Sequence, residues 1–258
     1  MIPLTFLDTL ADAAAKAIMP HFRALNNVEN KEETGFDPVT IADKAGEAAM
    51  RALIEEHYPE HGILGEEFDN KSVDADNVWI LDPIDGTRSF IAGVPVWGTL
   101  IGHKTNKKAT IGMMSQPYTR ERFSGDGTSA WHQRGNEPKT TIKTRACASL
   151  SDATLFTTSP DYFSADELNA FQRVENKVQL SRYGIDCYAY CMVANGHADL
   201  VIEAGLKAYD IAALIPIIEG AGGRVTTWQG GNPIDGGSII ASGDADLHES
   251  ALEILNPS

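Results

Sequence analysis

Apolar residues recur along the chain at intervals of three and four residues, which is the period of amphipathic helices. From Leu7 to Ile18 this period predicts a first helix, which Pro20 ends or kinks. Pro216 lies inside another such segment, where an interior proline costs about 3 kcal/mol and weakens the helix. The predicted helices span residues 4–19, 41–57, 165–176, 207–219 and 246–255, and one more, entered through Leu180–Ile185, ends near Ala194.

Short apolar runs bounded by Gly, Asn and Pro predict strands. Four such runs follow one another closely after residue 96 and are expected to form an antiparallel meander. Residues 26–38 are polar, contain Gly and Pro, and are expected to form a loop. The predicted strands span residues 97–102, 110–115, 122–124, 130–133, 200–203, 224–228 and 238–242. The pattern therefore indicates a mixed α and β protein.

The helix predicted at residues 41–57 begins at a capping signal. Thr40 and Asp43 have the spacing of a capping box, with Asp in place of the usual Glu. A second helix end is signalled by Gly222-Gly223, which is expected to close the helix at residues 207–219. The apolar residues expected to face the core from the helix at 41–57 are Ile41, Ala45, Ala48, Ala52 and Leu53.

One apolar run, rich in strand formers, ends in two carboxylates three residues apart, Asp82 and Asp85. Pro83 favours an extended Asp82, so the strand is expected to end there. Two carboxylates this close repel each other unless a cation lies between them, and Mg²⁺ prefers such oxygen ligands. The backbone amides of Gly86 and Thr87, at the start of a short helix, could bind a phosphate beside the metal. From the residues alone, a strand-to-helix turn capped by Asp85 is the alternative.

Composition limits the function classes. With 258 residues and 43% hydrophobic content the chain can bury a sizeable core. A net charge of −15 argues against nucleic acid or an anionic membrane as partner. No apolar run has the length of a membrane span, and no signal peptide is expected. Three cysteines suit a reducing cytoplasm, and Cys187 and Cys191 are expected to pack in the core rather than bind zinc.

Four fragments of the chain, in order, resemble those of the inositol monophosphatase-like family of metal-dependent phosphatases. Residues Trp79–Phe90 resemble its first signature, and Tyr209–Ala213, before a helix ending in Glu-Gly-Ala-Gly-Gly, resemble its second. Between residues 37 and 43, Asp-Pro-Val-Thr-x-x-Asp matches a third fragment, and Gly65–Glu67 match a fourth. Tyr209 stands where inositol-cleaving members usually have Trp, a departure that affects packing more than metal binding.

The resemblance implies a fold and an assembly. The expected fold is an α/β sandwich of alternating α-β-α-β-α layers, usually in a homodimer. Residues 1–258 would form a single phosphatase unit. Within it, about 1–145 carry the first metal signature, and about 146–258 carry the second metal ligand and the specificity elements.

The resemblance also implies the site residues of a phosphate monoester hydrolase that uses water activated by two or three Mg²⁺ ions. Metal ligands would be Glu66, Asp82, the Ile84 carbonyl, Asp85 and Asp210. Catalytic residues would be Asp43, Glu67 and Thr87, with Thr87 linked to Asp43 and orienting or deprotonating the water. Substrate-binding residues would be Asp85, Gly86, Thr87, Arg182, Asp186, Glu203 and Asp210.

For four of these acids the residues alone allow a purely structural role. Asp43 could only cap its helix, and Asp210 could only complement a helix dipole. The pair Glu66-Glu67 could be a solvated turn. These alternatives stay open at the level of sequence.

Two departures from inositol-cleaving members suggest the substrate. Arg88-Ser89-Phe90 and Arg-Tyr-Gly-x-Asp-Cys-Tyr-Ala-Tyr from residue 182 both resemble the histidinol-phosphatase branch. Asp186 and Glu203 could hold a cationic amine that inositol phosphate lacks. The expected reaction is hydrolysis of L-histidinol phosphate in histidine biosynthesis. Asp186 could instead only cap its helix.

Two alternatives belong to other functions. The same fold could act on inositol 1-phosphate or another sugar or nucleotide monophosphate. The chain could also be a catalytically silent, protein-binding dimer, but the intact set of acids argues against silence. A calcium-buffering module is excluded because the alternating acids of an EF-hand loop are missing.

Overall fold

The computed structural model describes residues 2–24, 28–30 and 38–256, with side chains described outside 25–40. Asp37 and the Thr40 side chain, and with it the predicted capping box, lie outside these described residues. The helices are α1 (Leu4–Ile18), α2 (Ile41–His57), α3 (Thr87–Ile91), α4 (Ala165–Glu175), α5 (Tyr188–Ala194), α6 (Ala208–Ile211), α7 (Leu214–Gly220) and α8 (Ala245–Leu255). Short 3-10 turns occur at Met19–His21, Leu150–Asp152 and Pro160–Tyr162.

The strands form a seven-stranded, a five-stranded and a two-stranded sheet. The seven-stranded sheet has the order β3-β4-β5-β6-β7-β8-β9 and is antiparallel except between β3 and β4. The five-stranded sheet, β11-β10-β12-β14-β13, is mixed. The strands are β1 (Val28–Asn30), β2 (Pro38–Thr40), β3 (Gly62–Gly65), β4 (Asn77–Asp85), β5 (Gly98–Thr105), β6 (Lys108–Gln116), β7 (Glu121–Gly125), β8 (Ala130–Arg134), β9 (Thr140–Thr141), β10 (Thr154–Thr157), β11 (Leu180–Tyr183), β12 (Leu200–Leu206), β13 (Arg224–Thr227) and β14 (Gly237–Ser242).

The buried side chains show how the layers stack. On β4, Trp79 and Leu81 pack in a cluster with α1 and α2, whereas Val78 and Ile80 pack in a second cluster with α5 and α7. This alternation follows from the two-residue period of a strand. The second cluster also contains residues of β12 and β14, and the other face of those strands packs against α4 and α8. Helices and sheets therefore alternate, and the predicted α-β-α-β-α sandwich is confirmed.

The first helix, the meander of β5 to β8, the buried β12, α4 and α8 all lie where the sequence predicts them. Gly222, with φ of 98°, follows α7, and the Gly223 N–H donates to the Ile218 carbonyl at 2.9 Å. This is a Schellman closure, as predicted for Gly222-Gly223. The seven-stranded sheet uses residues 62–141 and the five-stranded sheet residues 154–242. The predicted division near residue 145 stays a prediction.

Several sequence predictions are wrong. Residues 26–38 are not all loop, because Val28–Asn30 pairs with Pro38–Thr40 in an antiparallel ladder. Residues Leu180–Tyr183 form the parallel edge strand β11, not the entry to a helix. The helix predicted at 207–219 is two helices, α6 and α7. Pro216 is the third residue of α7, in the first turn, where a missing N–H costs little.

The inward face predicted for α2 is wrong at Ile41, Ala48 and Ala52, whereas Leu53 packs against the core as predicted. Ile41 is 55% exposed, and Ala48 and Ala52 are exposed as well. Two acids, Asp43 and Glu47, are buried on this helix instead. The apolar residues buried beside them are Ala42, Gly46, Met50 and Ile54. A helix that buries carboxylates does so for partners supplied by the rest of the fold, which a pattern of apolar residues does not reveal.

Glycines let α7 approach the seven-stranded sheet closely. A Cβ on Gly112 of β6 would lie 2.0 Å from the Ala213 carbonyl oxygen, and one on Gly125 of β7 would lie 2.2 Å from that of Pro216. Neither position has room for a side chain. The backbones of α7 and the sheet are therefore in direct contact behind the cavity described next.

Candidate active site

The first two acids of the site, Asp82 and Asp85, lie at the end of β4. Pairing with β5 runs from Asn77 to Asp82, is interrupted, and resumes at Asp85 opposite Gly98. The predicted strand end at Asp82 is therefore wrong: the strand continues through an irregularity that brings Asp82 and Asp85 to the same region. The physical reason is that Pro83 lacks an N–H for the ladder, so it is accommodated in this irregularity.

Gly86 ends the strand and begins α3. Its φ of 83° is left-handed, a conformation that glycine adopts most easily. A Cβ there would lie 2.8 Å from the Asp186 carboxyl carbon. The turn therefore requires glycine for its conformation and for space. The predicted cap of α3 by Asp85 is absent: the N-cap is Gly86, which has no side chain.

The structure brings three predicted metal ligands together. Carboxylate oxygens of Asp82, Asp85 and Asp210 lie within 4.8 Å of one another, and Asp82 is only 2% exposed. Burial is the main cause that raises the pKa of Asp82, and the charges of Glu66, Asp85 and Asp210 raise it further. Burial likewise raises the pKa of Asp210 to about 7. Buried oxygen donors that destabilise one another's charge fit a hard divalent cation.

Backbone amides fix one oxygen of each carboxylate. The Ile84 N–H donates to Asp82 Oδ1 at 3.0 Å, the Cys187 N–H donates to Asp85 Oδ2 at 2.7 Å, and the Lys207 N–H donates to Asp210 Oδ2 at 2.6 Å. The three aspartates are therefore held before any ligand arrives. Asp210 therefore accepts a hydrogen bond at the start of α6 and also contributes a carboxylate to the cluster.

The cluster opens into a cavity of about 570 Å³. The predicted site residues that line it are Glu66, Asp82, Ile84, Asp85, Gly86, Thr87, Asp186, Glu203 and Asp210. The Thr87 hydroxyl donates to the Ile84 carbonyl at 3.1 Å, which joins two of them. Residues from β4, α3, β12 and α6 thus share one cavity, although they are far apart in the chain.

Three predicted site residues do not line this cavity. Arg182 is exposed on the edge strand β11. Asp43 is 1% exposed in the first turn of α2, and its charge is among those that raise the pKa of Asp82. The Glu67 N–H donates to Glu47 Oε2 at 2.7 Å, so its backbone is bound to α2. The roles of Arg182, Asp43 and Glu67 stay predictions.

Asp186 forms part of the cavity wall opposite α3. Its φ is 47°, and its Oδ2 accepts a hydrogen bond of 2.6 Å from the Ser89 hydroxyl. The N-cap of α5 is Cys187, without a side-chain cap, so the alternative that Asp186 only caps the helix is wrong. Burial raises the pKa of Asp186, while the Ser89 hydrogen bond and the charge of Arg88 oppose that shift.

Glu203 is a second wall carboxylate and is 6% exposed. Its Oε1 accepts from the Thr158 N–H at 2.9 Å and from the Thr158 hydroxyl at 2.5 Å. Its Oε2 accepts from the Tyr190 hydroxyl at 3.1 Å. Burial raises the pKa of Glu203 to about 7. The carboxylate is thus positioned by β10 and α5 as well as by its own strand.

Sequence reasoning missed several cavity residues. Arg88 carries its guanidinium 5.0 Å from the ring centroid of Tyr162, and both line the cavity. Arg88 had a signal, because it lies inside the first signature. Tyr162 and Thr158 lie in the segment after β10, where no motif marks them. Tyr190 had a signal, because it is the last residue of the motif that begins at Arg182.

Comparisons with known proteins agree with this geometry. A sequence model of the Inositol monophosphatase family matches residues 3–258. The bifunctional phosphatase IMPL2 of Arabidopsis thaliana is 44% identical over 96% of this chain and 73% of its own length. A histidinol-phosphatase of Mycobacterium tuberculosis is 32% identical, over 96% of this chain and 95% of its own. The structure of an inositol monophosphatase from Zymomonas mobilis superposes with a TM-score of 0.85, at 40% identity, covering 97% and 96% of the two chains.

The layered fold and the acidic cluster beside a cavity are those of a metal-dependent phosphatase. The chain belongs to the inositol monophosphatase family. It is accordingly a phosphatase, and phosphate monoesters are its expected substrates. The relatives carry the names of more than one activity, so the ester itself belongs to the proposal below.

Among the described residues, no helix combines the length and the apolar character that crossing a membrane requires.

Proposed function

We propose that the protein hydrolyses L-histidinol phosphate to L-histidinol and phosphate in a Mg²⁺-dependent reaction. The observation that supports this ester is a pair of wall carboxylates, Asp186 and Glu203, in the same cavity as the acidic cluster. A cationic amine placed between the wall and the cluster would gain charge-assisted hydrogen bonds from these carboxylates. An uncharged polyol would gain less.

The cluster would hold the metal ions. Glu66, Asp82, Asp85, Asp210 and the Ile84 carbonyl would be the ligands. When bound, Mg²⁺ supplies positive charge that stabilises the developing charge on the phosphate and lowers the pKa of a water molecule. The hard oxygen donors and the repulsion among the buried aspartates fit this ion.

Other residues of the chain would handle the phosphate and the proton. The amides of Gly86 and Thr87 would donate hydrogen bonds to phosphate oxygens. The Thr87 hydroxyl, with Asp43, would orient the attacking water and take its proton, and Glu67 would orient its neighbours. Covalent catalysis is not part of the proposal. The thiol of Cys187, which lines the cavity, has a pKa raised by burial, and Asp85 raises it further, which disfavours the nucleophilic thiolate.

The amine also needs ionised wall carboxylates. The Ser89 hydroxyl and the Arg88 charge both favour the ionised form of Asp186. For Glu203, the hydrogen bonds from Thr158 and Tyr190 favour the ionised form against the effect of burial. An arriving ammonium group would lower the pKa of both carboxyls further, so binding and ionisation would reinforce each other.

The oligomeric state, the pathway and the cellular location of the protein are part of the proposal. A homodimer and a role in histidine biosynthesis follow from the family resemblance. A cytoplasmic location suits the cysteines, since the three thiols are free. Light scattering of the purified protein would test the dimer, and a monomer at micromolar concentration would contradict it.

A phosphate-release assay tests the reaction and the ester separately. L-histidinol phosphate, inositol 1-phosphate and an aryl phosphate are supplied in turn with Mg²⁺, and each reaction is repeated in excess chelator. We expect kcat/KM for L-histidinol phosphate to exceed the others at least tenfold, with no turnover in chelator. A preference for inositol 1-phosphate would contradict the ester. Full activity in chelator would contradict the metal-dependent reaction.

A further inference from the structure

A buried carboxylate outside the cavity holds the turn that carries Glu66. Glu47, in the middle of α2, is fully buried, and its Oε2 accepts the Glu67 N–H at 2.7 Å. This turn follows β3, and Phe68 is the residue after Glu67 in it. Because Glu67 is the immediate neighbour of Glu66, this bond fixes the backbone on the carboxyl side of Glu66, a fourth acid that lines the cavity.

Arg51, one helical turn after Glu47, completes the attachment. Its Nε donates to Glu47 Oε1 at 2.7 Å, and its Nη2 donates to the Phe68 carbonyl at 3.2 Å. The guanidinium carbon lies 5.8 Å from the centroid of the Phe68 ring. The two side chains thus bind a backbone N–H and a backbone carbonyl of consecutive residues in the turn.

The other side of Glu66 is fixed by close contact. A Cβ on Gly65 would lie 2.0 Å from Glu47 Oε1, so the carboxylate fills the space that a side chain would need. The segment 65–68 is therefore in contact with Glu47 or Arg51 before and after Glu66. Neither Glu47 nor Arg51 lines the cavity.

Burying an ion pair costs free energy, and a buried pair is weak support for stability by itself. Glu47 and Arg51 make one hydrogen bond to each other and two to the backbone of the turn. The pair therefore attaches the turn to α2 in addition to forming a contact within the helix. Residues that orient metal ligands from outside the site commonly change metal affinity by ten- to a hundredfold when they are replaced.

We propose that Glu47 and Arg51 are positioning residues that hold the segment 65–68 so that Glu66 faces the Asp82 cluster, and that they set the affinity for the metal. The inference rests on the proposed Mg²⁺-dependent function. Replacing Glu47 or Arg51 should weaken metal binding, although neither side chain lines the cavity.

The test is a Mg²⁺ titration with two readouts, activity and the Mg²⁺-induced rise of the melting temperature. Glu47→Gln retains the volume and an oxygen that can accept the Glu67 N–H, but it loses the charge that holds Arg51. Arg51→Lys retains the charge but loses the forked contact with the Phe68 carbonyl. We expect the half-saturating Mg²⁺ concentration to rise about tenfold in Glu47→Gln and less in Arg51→Lys, with a matching loss of the temperature rise.

Glu55→Gln is the matched control on the same helix. Glu55 forms an exposed pair with Lys71 at 3.6 Å, which does not touch the turn. This variant should keep the wild-type Mg²⁺ dependence. If Glu47→Gln does not fold, Gly65→Ala is the second variant. Its added methyl group on the turn would displace the Glu47 carboxylate and should raise the half-saturating Mg²⁺ concentration in the same way.

The outcomes separate the two proposals. Variants that melt earlier without metal but bind Mg²⁺ as wild type does would show a merely structural pair and overturn the inference. A wild type without any response to Mg²⁺ in either readout would overturn the metal-dependent function, and the inference with it. Recovery of full activity by Glu47→Gln at saturating Mg²⁺ would support positioning.

Discussion

The Ser89 hydroxyl donates a hydrogen bond of 2.6 Å to Asp186 Oδ2, across 97 residues of sequence. The bond joins α3, which forms the end of the first metal signature, to the wall segment that precedes α5. Asp186 has a φ of 47° and packs directly over Gly86, so the carboxylate has little freedom. The metal-binding signature and the wall that we assign to substrate recognition are thus one connected structure.

Ser89→Ala should weaken recognition of an amine substrate. The variant removes the donor that orients Asp186 and favours its ionised form. We expect kcat/KM for L-histidinol phosphate to fall about three- to tenfold, or roughly 0.7–1.4 kcal/mol, which is within the range of one typical hydrogen bond. An aryl phosphate is the control and should be hydrolysed at the wild-type rate. Equal losses for both esters would show that Ser89 supports the site as a whole.

Asp186→Asn should have a larger effect of the same kind. It removes the wall charge and retains an amide that can bond Ser89. Losing a charge-assisted hydrogen bond costs roughly 1.5–3 kcal/mol, or about ten- to a hundredfold in kcat/KM. The loss should fall on L-histidinol phosphate and not on inositol 1-phosphate, because the cluster serves both. An unchanged ratio of kcat/KM between the two esters would remove Asp186 from substrate recognition.

Asp210→Asn tests the cluster at its most distant member. The amide oxygen can still accept the Lys207 N–H, so α6 should form and the circular dichroism spectrum should be unchanged. One charged ligand of the metal is lost, and we expect kcat to fall by several orders of magnitude. The Mg²⁺-induced rise of the melting temperature should shrink as well. Near-normal turnover would mean that Asp210 serves only the helix.

Two buried histidines should each contribute a loss of stability in mild acid. Burial lowers the pKa of His103 and of His248 to about 4, whereas the unfolded value is near 6.5. Between these values each of these histidines binds more protons in the unfolded chain than in the folded one, so its contribution lowers the free energy of unfolding as the pH falls from 6.5 toward 4. The cavity carboxyls with raised pKa, such as Glu203 and Asp210, contribute with the opposite sign. By pH 4.5 the loss is on the order of 2 kcal/mol for each histidine.

Urea unfolding from pH 7 to 4.5 measures this effect. His103→Gln removes one titrating group, so the free energy of unfolding of the variant minus that of wild type should rise by about 2 kcal/mol between pH 7 and pH 4.5, whatever its value at pH 7. Thr128→Ala, at an exposed position, replaces a side chain that does not titrate and is the control, so it should retain the wild-type pH dependence. Parallel curves for His103→Gln and wild type would contradict the assignment.

Gly112→Ala should destabilise the packing behind the cavity. The added methyl group would lie 2.0 Å from the Ala213 carbonyl oxygen, so α7 or β6 must move. Overpacking of this kind costs about 1–3 kcal/mol, or roughly 2–4 °C in melting temperature for each kcal/mol in a chain of this size. Gly231→Ala meets only the Thr227 hydroxyl at 3.2 Å and is the control. A melting temperature equal to that of Gly231→Ala would contradict the tight contact.

The acids of the cluster could be named from sequence because short segments carry them. Asp82 and Asp85 lie within one irregular stretch of β4, and the backbone amides that hold Asp82 and Asp210 come from neighbouring residues. Local chain geometry therefore accounts for much of their placement. Arg182 shows the limit of this reasoning, since it was placed in the site by a motif and is exposed on β11.

The sequence by itself determined the period of most helices and strands and the positions of Asp82 and Asp85, the two carboxylates at the end of β4. Each of these depends on residues a few positions apart. Only the tertiary structure decided which face of α2 is buried, because Glu47 accepts the Glu67 N–H of the turn after β3 in addition to pairing with Arg51 of its own helix. It also decided the wall of the cavity, where Arg88, Tyr162 and Asp186 meet, since packing between distant segments has no local period that a sequence can display.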